Sequence, residues 1–201
     1  MFKRIVILIT ILLTLCHSIQ IHAQSTETGK FVAGIDFTQL NSQESVPDLV
    51  LVSWYGSDSA KRVYSALENN EFSAILWPAV FREAWRPAAK INLVANNLKL
   101  SPEQHLELFT LIQAENSTLN TPKDYIAIFN QFIEDSQQVE DAVYDSDMPK
   151  RLVFIQNMIK QFSISTVPTI IFKGQYTIDA TQAKTPARLI EILKYLDNTK
   201  P

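Results

Sequence analysis

The sequence predicts an α/β domain interrupted by a block of helices. Three observations carry this. Two apolar runs of strand length, Leu49–Tyr55 and Phe72–Trp77, bracket one helical pattern. From Pro87 to Phe162 the chain shows helical patterns and no strand signal. It then returns to an apolar strand, a glycine turn, a second strand and a last helix. The order is βαβ, helices, ββα. Strands at both ends with helices between them make one sheet carrying a helical subdomain.

Each element has its own signal. Leu49 to Tyr55 is continuously apolar, as a central strand is. Ser57 to about Asn70 reads as a helix with Val63, Tyr64 and Leu67 on one face. Phe72 to Trp77 is a second buried strand, stopped by Pro78. Pro87 to Leu98 spaces Ile91, Val94, Ala95 and Leu98 for a helix. Ser101-Pro102-Glu103-Gln104 starts the next one, with an N-cap serine, a proline behind it and a glutamine closing a capping box. Thr121-Pro122-Lys123-Asp124 repeats the cap and the proline, and a further helical pattern runs from about Met148 to Phe162. Thr169–Phe172 is a strand, Lys173-Gly174 a turn, and Gln175–Ile178 pairs back as a hairpin. Thr185-Pro186 opens a final amphipathic helix through Leu189, Ile190, Leu193 and Leu196. No internal repeat or low-complexity tract occurs.

The start of the 201-residue chain needs separate treatment. Lys3 and Arg4 precede an apolar stretch from Ile5 to Leu15, and Ile21-His22-Ala23 ends on a small residue. This predicts a secretory signal peptide over 1–23, cut after Ala23, and one domain over 24–201. The apolar stretch is shorter than the roughly 20 residues that span a bilayer, so no stable membrane insertion is expected after cleavage. The rival reading is a lipoprotein signal with Cys16 as the lipidated residue, although Leu15 stands where such signals want a small one. Cleavage removes Cys16, the only cysteine, and leaves His105 as the only histidine. Without Lys3 and Arg4, 16 basic residues face 21 acidic ones, a net charge of −5. That balance speaks against a general nucleic-acid or anionic-membrane binder.

The turn Trp54-Tyr55-Gly56-Ser57-Asp58-Ser59 joins a strand to a helix N-terminus, a common place for chemistry, yet it carries no obvious catalyst. Val52–Ala60, the helical block and Thr166-Val167-Pro168-Thr169-Ile170-Ile171-Phe172-Lys173-Gly174-Gln175-Tyr176 together resemble the DsbA-like thioredoxin-fold proteins, from about Phe31 to the end. The resemblance implies a thioredoxin-like fold with a helical insertion at about 82–163. It implies a cis-proline loop at Thr166, Val167 and Pro168, with the Val167 backbone pairing with an extended substrate. It also places a Cys-x-x-Cys motif in the turn, where this chain has Gly56, Ser57, Asp58 and Ser59. The first cysteine maps to Gly56 and the second to Ser59. Thiol–disulfide exchange requires a thiolate, so dithiol activity is expected to be absent and no catalytic residue is assigned. Trp54 and Tyr55, which lead into the turn, are the candidate groove walls.

The remaining polar features have bland readings beside sharper ones. Ser57, Asp58 and Ser59 are good N-cap residues. The sharper alternative has a hydroxyl at the helix start holding an anion or thiolate, a site similar to that of kappa-class glutathione transferases, although Asp58 would repel a thiolate. Arg82, Arg86 and Lys90 form a basic stripe beside Trp85 if one helix holds all three and Pro87 does not break it. Six of the 14 residues from Glu134 to Asp147 are acidic, which predicts a solvent face. His105 reads as an ordinary exposed helix residue, and neither a metal site nor a cofactor is expected. Asn116-Ser117-Thr118 matches a glycosylation pattern that matters only in a eukaryotic secretory route.

The leading expectation is a secreted, periplasmic DsbA-like protein without redox cysteines. It would bind an envelope protein or an extended peptide in a chaperone-like way. One alternative is a glutathione-transferase-like enzyme using Ser57 or Ser59. Another is a structural component of an envelope assembly that uses the helical insertion.

Overall fold

The computed structural model describes residues 30–41, 44–114 and 119–199. The segment read as a signal peptide, with Cys16 and Ala23, and the Asn116-Ser117-Thr118 pattern lie outside these residues.

The elements in chain order are β1 (Thr38–Gln39), β2 (Leu49–Ser53), α1 (Asp58–Glu68), β3 (Ile75–Pro78), a 3-10 turn (Glu83–Trp85), α2 (Arg86–Asn97), α3 (Pro102–Ala114) and α4 (Pro122–Phe129). They continue with α5 (Ser136–Val143), α6 (Met148–Gln161), β4 (Thr169–Phe172), β5 (Tyr176–Asp179), α7 (Ala180–Ala183) and α8 (Pro186–Asn198). The five strands form one sheet in the order β1-β5-β4-β2-β3. The β2–β3 pair is parallel and the others are antiparallel. β2 is an interior strand between β4 and β3 and every one of its residues is buried, which explains the apolar run Leu49–Val52. α1 packs on α3 and α8, while α2 and α6 pack on β3.

Sequence and structure differ at β3. Phe72 is not in the strand, because its N–H donates to the Leu67 carbonyl at 3.0 Å and closes the end of α1 through Glu71 at φ +63°. The strand therefore starts at Ile75. Pro78 does not stop it but is its last residue, paired with Ser53. β3 is an edge strand, so a missing N–H costs it little. Its carbonyls are covered by side-chain amides of the helical block. Asn96 Nδ2 donates to Leu76 O at 2.8 Å, and Gln156 Nε2 donates to Pro78 O at 2.8 Å. Gln156 Oε1 also accepts the Val80 N–H at 3.2 Å. Amides therefore fix the helices to an edge that would otherwise present bare backbone.

The basic stripe does not form. Arg82 lies before the 3-10 turn in extended backbone, off α2 altogether. Arg86 pairs with Glu83 at 2.7 Å, and Pro87 sits in the first turn of α2, where its missing N–H is harmless. The acidic stretch contains a helix of its own, α5, that the periodicity did not reveal. Asp135 caps it by accepting the Gln137 and Gln138 N–H groups, while Asp145 and Asp147 pair with Arg151 and Lys150. Asp145 accepts the Asp147 N–H as well, and its carboxyl is held below the ordinary range by that bond first and by Arg151 second. At the hairpin, Lys173 and Gly174 both take positive φ, which matches the twist of the strands they join.

Candidate binding site at one end of the sheet

Strand register brings three loops together. Ser53 pairs with Pro78 on one side, and Val52 pairs with Thr169 on the other. The turn after β2, the loop after β3 and the Thr166–Pro168 loop before β4 therefore share one end of the sheet. The Val167–Pro168 peptide bond is cis.

The turn is built from its own residues. The Ser57 N–H donates to the Trp54 carbonyl at 2.8 Å. Ser57 is the N-cap of α1, and its hydroxyl accepts the Ala60 N–H at 3.2 Å. The hydroxyls of Ser57 and Ser59 lie 2.9 Å apart and share a hydrogen bond. Asp58 is exposed and pairs with Arg62 one turn along α1.

Gly56 holds the informative geometry. A Cβ built there would lie 2.2 to 2.6 Å from atoms of the Trp54 indole, closer than any side chain tolerates. Trp54 lies across the position, and its indole stacks on Trp85 with centroids 4.5 Å apart and planes within 5°. Phe81 extends the aromatic group at 5.8 Å from Trp85. The space in which a side chain at 56 would start is thus occupied by an indole.

Tyr55 does not line a groove, which corrects the expectation for it. Only 2% of it is exposed, and it points into the helical block. Its ring meets Phe109 edge-on at 4.7 Å, and its hydroxyl bonds His105 Nδ1 at 2.6 Å. The turn explains the split: β2 ends at Ser53, and the Ser57 N–H to Trp54 carbonyl bond reverses the chain at Tyr55 and Gly56, so the two aromatics leave it in different directions. His105 is likewise not an exposed helix residue, since 6% of it is accessible. It belongs to the apolar face of α3 with Phe109 and Ile112, a spacing that is visible in the sequence. Burial lowers its pKa to about 4, so the imidazole is neutral and its Nδ1 shares a hydrogen bond with the Tyr55 hydroxyl. Burial likewise pushes the Tyr55 phenol far above its ordinary range. The Gln113 amide adds a tie to this region by donating to the Tyr55 carbonyl at 3.2 Å.

The opposing loop is less committed. Thr166 is exposed, Val167 half-buried and Pro168 buried. The Thr166 carbonyl accepts the Thr169 hydroxyl at 2.8 Å. Val167 makes no backbone hydrogen bond to any described residue.

A sheet of this order, with a cis-proline loop beside a strand-to-helix turn and a helical block inserted after β3, defines a thioredoxin-like fold with a helical insertion. Comparison places it among the DsbA-like folds. The structure resembles Pseudomonas aeruginosa DsbA with a TM-score of 0.72 and 18% identity, over 83% of this chain and 92% of that one. Xylella fastidiosa DsbA gives 0.69 and 18%, over 82% and 95%. A Proteus mirabilis DsbA cysteine-to-serine variant with a non-covalently bound peptide gives 0.67 and 18%, over 83% and 97%. In sequence, the chain is 21% identical over 119 residues to the thiol:disulfide interchange protein DsbA of Azotobacter vinelandii, covering 59% of this chain. The aligned stretch spans 56% of that relative. No family model matches the chain. Among the described residues, no helix is long and apolar enough to cross a membrane.

Proposed function

We propose that this chain is a secreted, periplasmic binding module that keeps the DsbA-like scaffold and captures extended peptide segments without dithiol chemistry. The observation that carries the reading is the turn itself. Its four motif positions are Gly56, Ser57, Asp58 and Ser59, and the Trp54 indole covers the first. No thiolate is available there for exchange. What supports capture is the uncommitted Val167 backbone beside the turn, since an extended peptide binds by adding main-chain hydrogen bonds to such an edge. The bound peptide on the Proteus mirabilis variant is a property of that protein and a precedent for non-covalent capture on this fold.

The serine-enzyme alternative gains no support from the turn. The Ser57 hydroxyl is engaged by Ala60 N–H and by Ser59, and His105 is turned into the core against Tyr55.

The test is peptide retention without cysteine. A fluorescent peptide of sequence Pro-Trp-Ala-Thr-Ser-Asp-Ser, with serine in place of the cysteine of the peptide on the Proteus mirabilis variant, should bind the purified protein and raise its own anisotropy. Thr166→Arg should weaken that binding several-fold, while Ser136→Arg, an equal charge change on exposed α5, should not. Equal binding by both variants, or binding that demands the peptide cysteine, would refute the reading.

A further inference from the structure

A pocket of about 270 Å³ opens between the turn and the helical block. It uses no residue of the Val167–Pro168 loop, so it stands apart from the proposed peptide edge. Trp54, Trp85, Ala88, Ile91, Ile112 and Leu119 supply apolar walls. The pocket reaches Gly56, and the glycine lets the Trp54 indole settle against Trp85 to form one of its sides. Two polar side chains border it, Gln113 and Arg82. Gln113 already spends its amide on the Tyr55 carbonyl.

Arg82 is different. Among the described residues the other four arginines, at 62, 86, 151 and 188, each pair with a carboxylate. Arg82 pairs with no carboxylate among the described residues, in a chain whose acidic residues outnumber its basic ones. An unpaired guanidinium beside an apolar pocket suits an anion that carries an apolar body. The fork takes a carboxylate in two parallel hydrogen bonds, and the walls take an apolar body. The volume lies just below the ~300–1,000 Å³ of pockets that hold drug-sized molecules, so the ligand is small.

We propose that this pocket binds a small carboxylate with an apolar body, its charge on Arg82 and its body between Trp85 and Ile112. Isothermal titration of the purified protein with 2-naphthoate tests it, with neutral 2-naphthamide as the comparison. Naphthoate should bind with a dissociation constant on the order of 0.1–1 mM, as expected for so few atoms. Naphthamide should bind about tenfold more weakly. Arg82→Gln should cost naphthoate about tenfold and leave naphthamide unchanged. Lys90→Gln, an equal charge change on an exposed residue outside the lining, should change neither. Ala84→Trp should block both ligands, and because Ala84 is exposed the variant should keep the wild-type circular dichroism spectrum. Absence of naphthoate binding at millimolar concentration, equal affinity for acid and amide, or wild-type binding by Arg82→Gln or Ala84→Trp would overturn the proposal.

Discussion

The two loops that share one end of the sheet are satisfied in opposite ways. The turn from Trp54 to Ser59 consumes its own bonding capacity. Its backbone closes through Ser57 and Trp54, the Ser57 hydroxyl caps α1 and bonds Ser59, and its aromatics lie on Trp85 or inside the helical block. The Thr166–Pro168 loop leaves the Val167 backbone unbonded to the described chain. The difference teaches where function can still reside. In a thioredoxin-like scaffold, the motif turn is usually read first. Here that turn bonds within itself, while the Val167 backbone of the proline loop makes no hydrogen bond among the described residues.

If the turn is structural, substitutions there should cost stability that substitutions in the loop do not. The largest effect is expected at Tyr55. Tyr55→Ala removes a fully packed ring that joins the turn to α3, and it should destabilise by about 3–5 kcal/mol in urea denaturation. A loss below about 1 kcal/mol would show that the turn does not depend on the helical block.

The next effect is a pH dependence from the same cluster. His105 has a pKa of about 4 when folded, against about 6.5 unfolded. Between these values the unfolded chain binds a proton that the folded chain does not. Stability is therefore lost as the pH falls from about 6.5 to 4, by a total of about 3 kcal/mol. His105→Gln keeps an acceptor for the Tyr55 hydroxyl and cannot titrate. The difference in denaturation free energy between wild type and this variant should shrink or reverse over that pH range. A constant difference would place His105 in solvent.

The smallest effect sharpens the contrast between the loops. Gly56→Ala forces the Trp54 indole off its place and should cost about 1–3 kcal/mol, with a fall in the near-ultraviolet dichroism of the stacked indoles. Thr166→Ala, at an exposed loop position, should stay within about 0.5 kcal/mol of wild type. Equal costs at the two sites would erase the distinction drawn between them. The collision at 56 also meets Gly56→Cys, so a restored motif has to displace an indole before a thiol fits.

By itself, the sequence determined the kind of fold and the chemistry absent from the turn. Apolar runs at Leu49 and Thr169, caps at Ser101, Thr121 and Thr185, and the Lys173-Gly174 turn are local signals, and local backbone preference is enough to read them. Residue identity alone excludes a thiolate at Gly56 and Ser59. Other features depended on partners far along the chain. That Phe72 closes α1 instead of opening β3 follows from a backbone bond to Leu67 that no apolar count reveals. Tyr55 and His105 are 50 residues apart, and only the docking of α3 on the turn makes them one buried hydrogen bond. Trp54 and Trp85 meet because β2 and β3 run parallel and end side by side, which carries the loop after β3 to the turn after β2. Register and docking are properties of the whole sheet. They decide which neighbouring aromatic lies at the open end and which one is buried, a choice that the local sequence leaves free until a partner surface is in place.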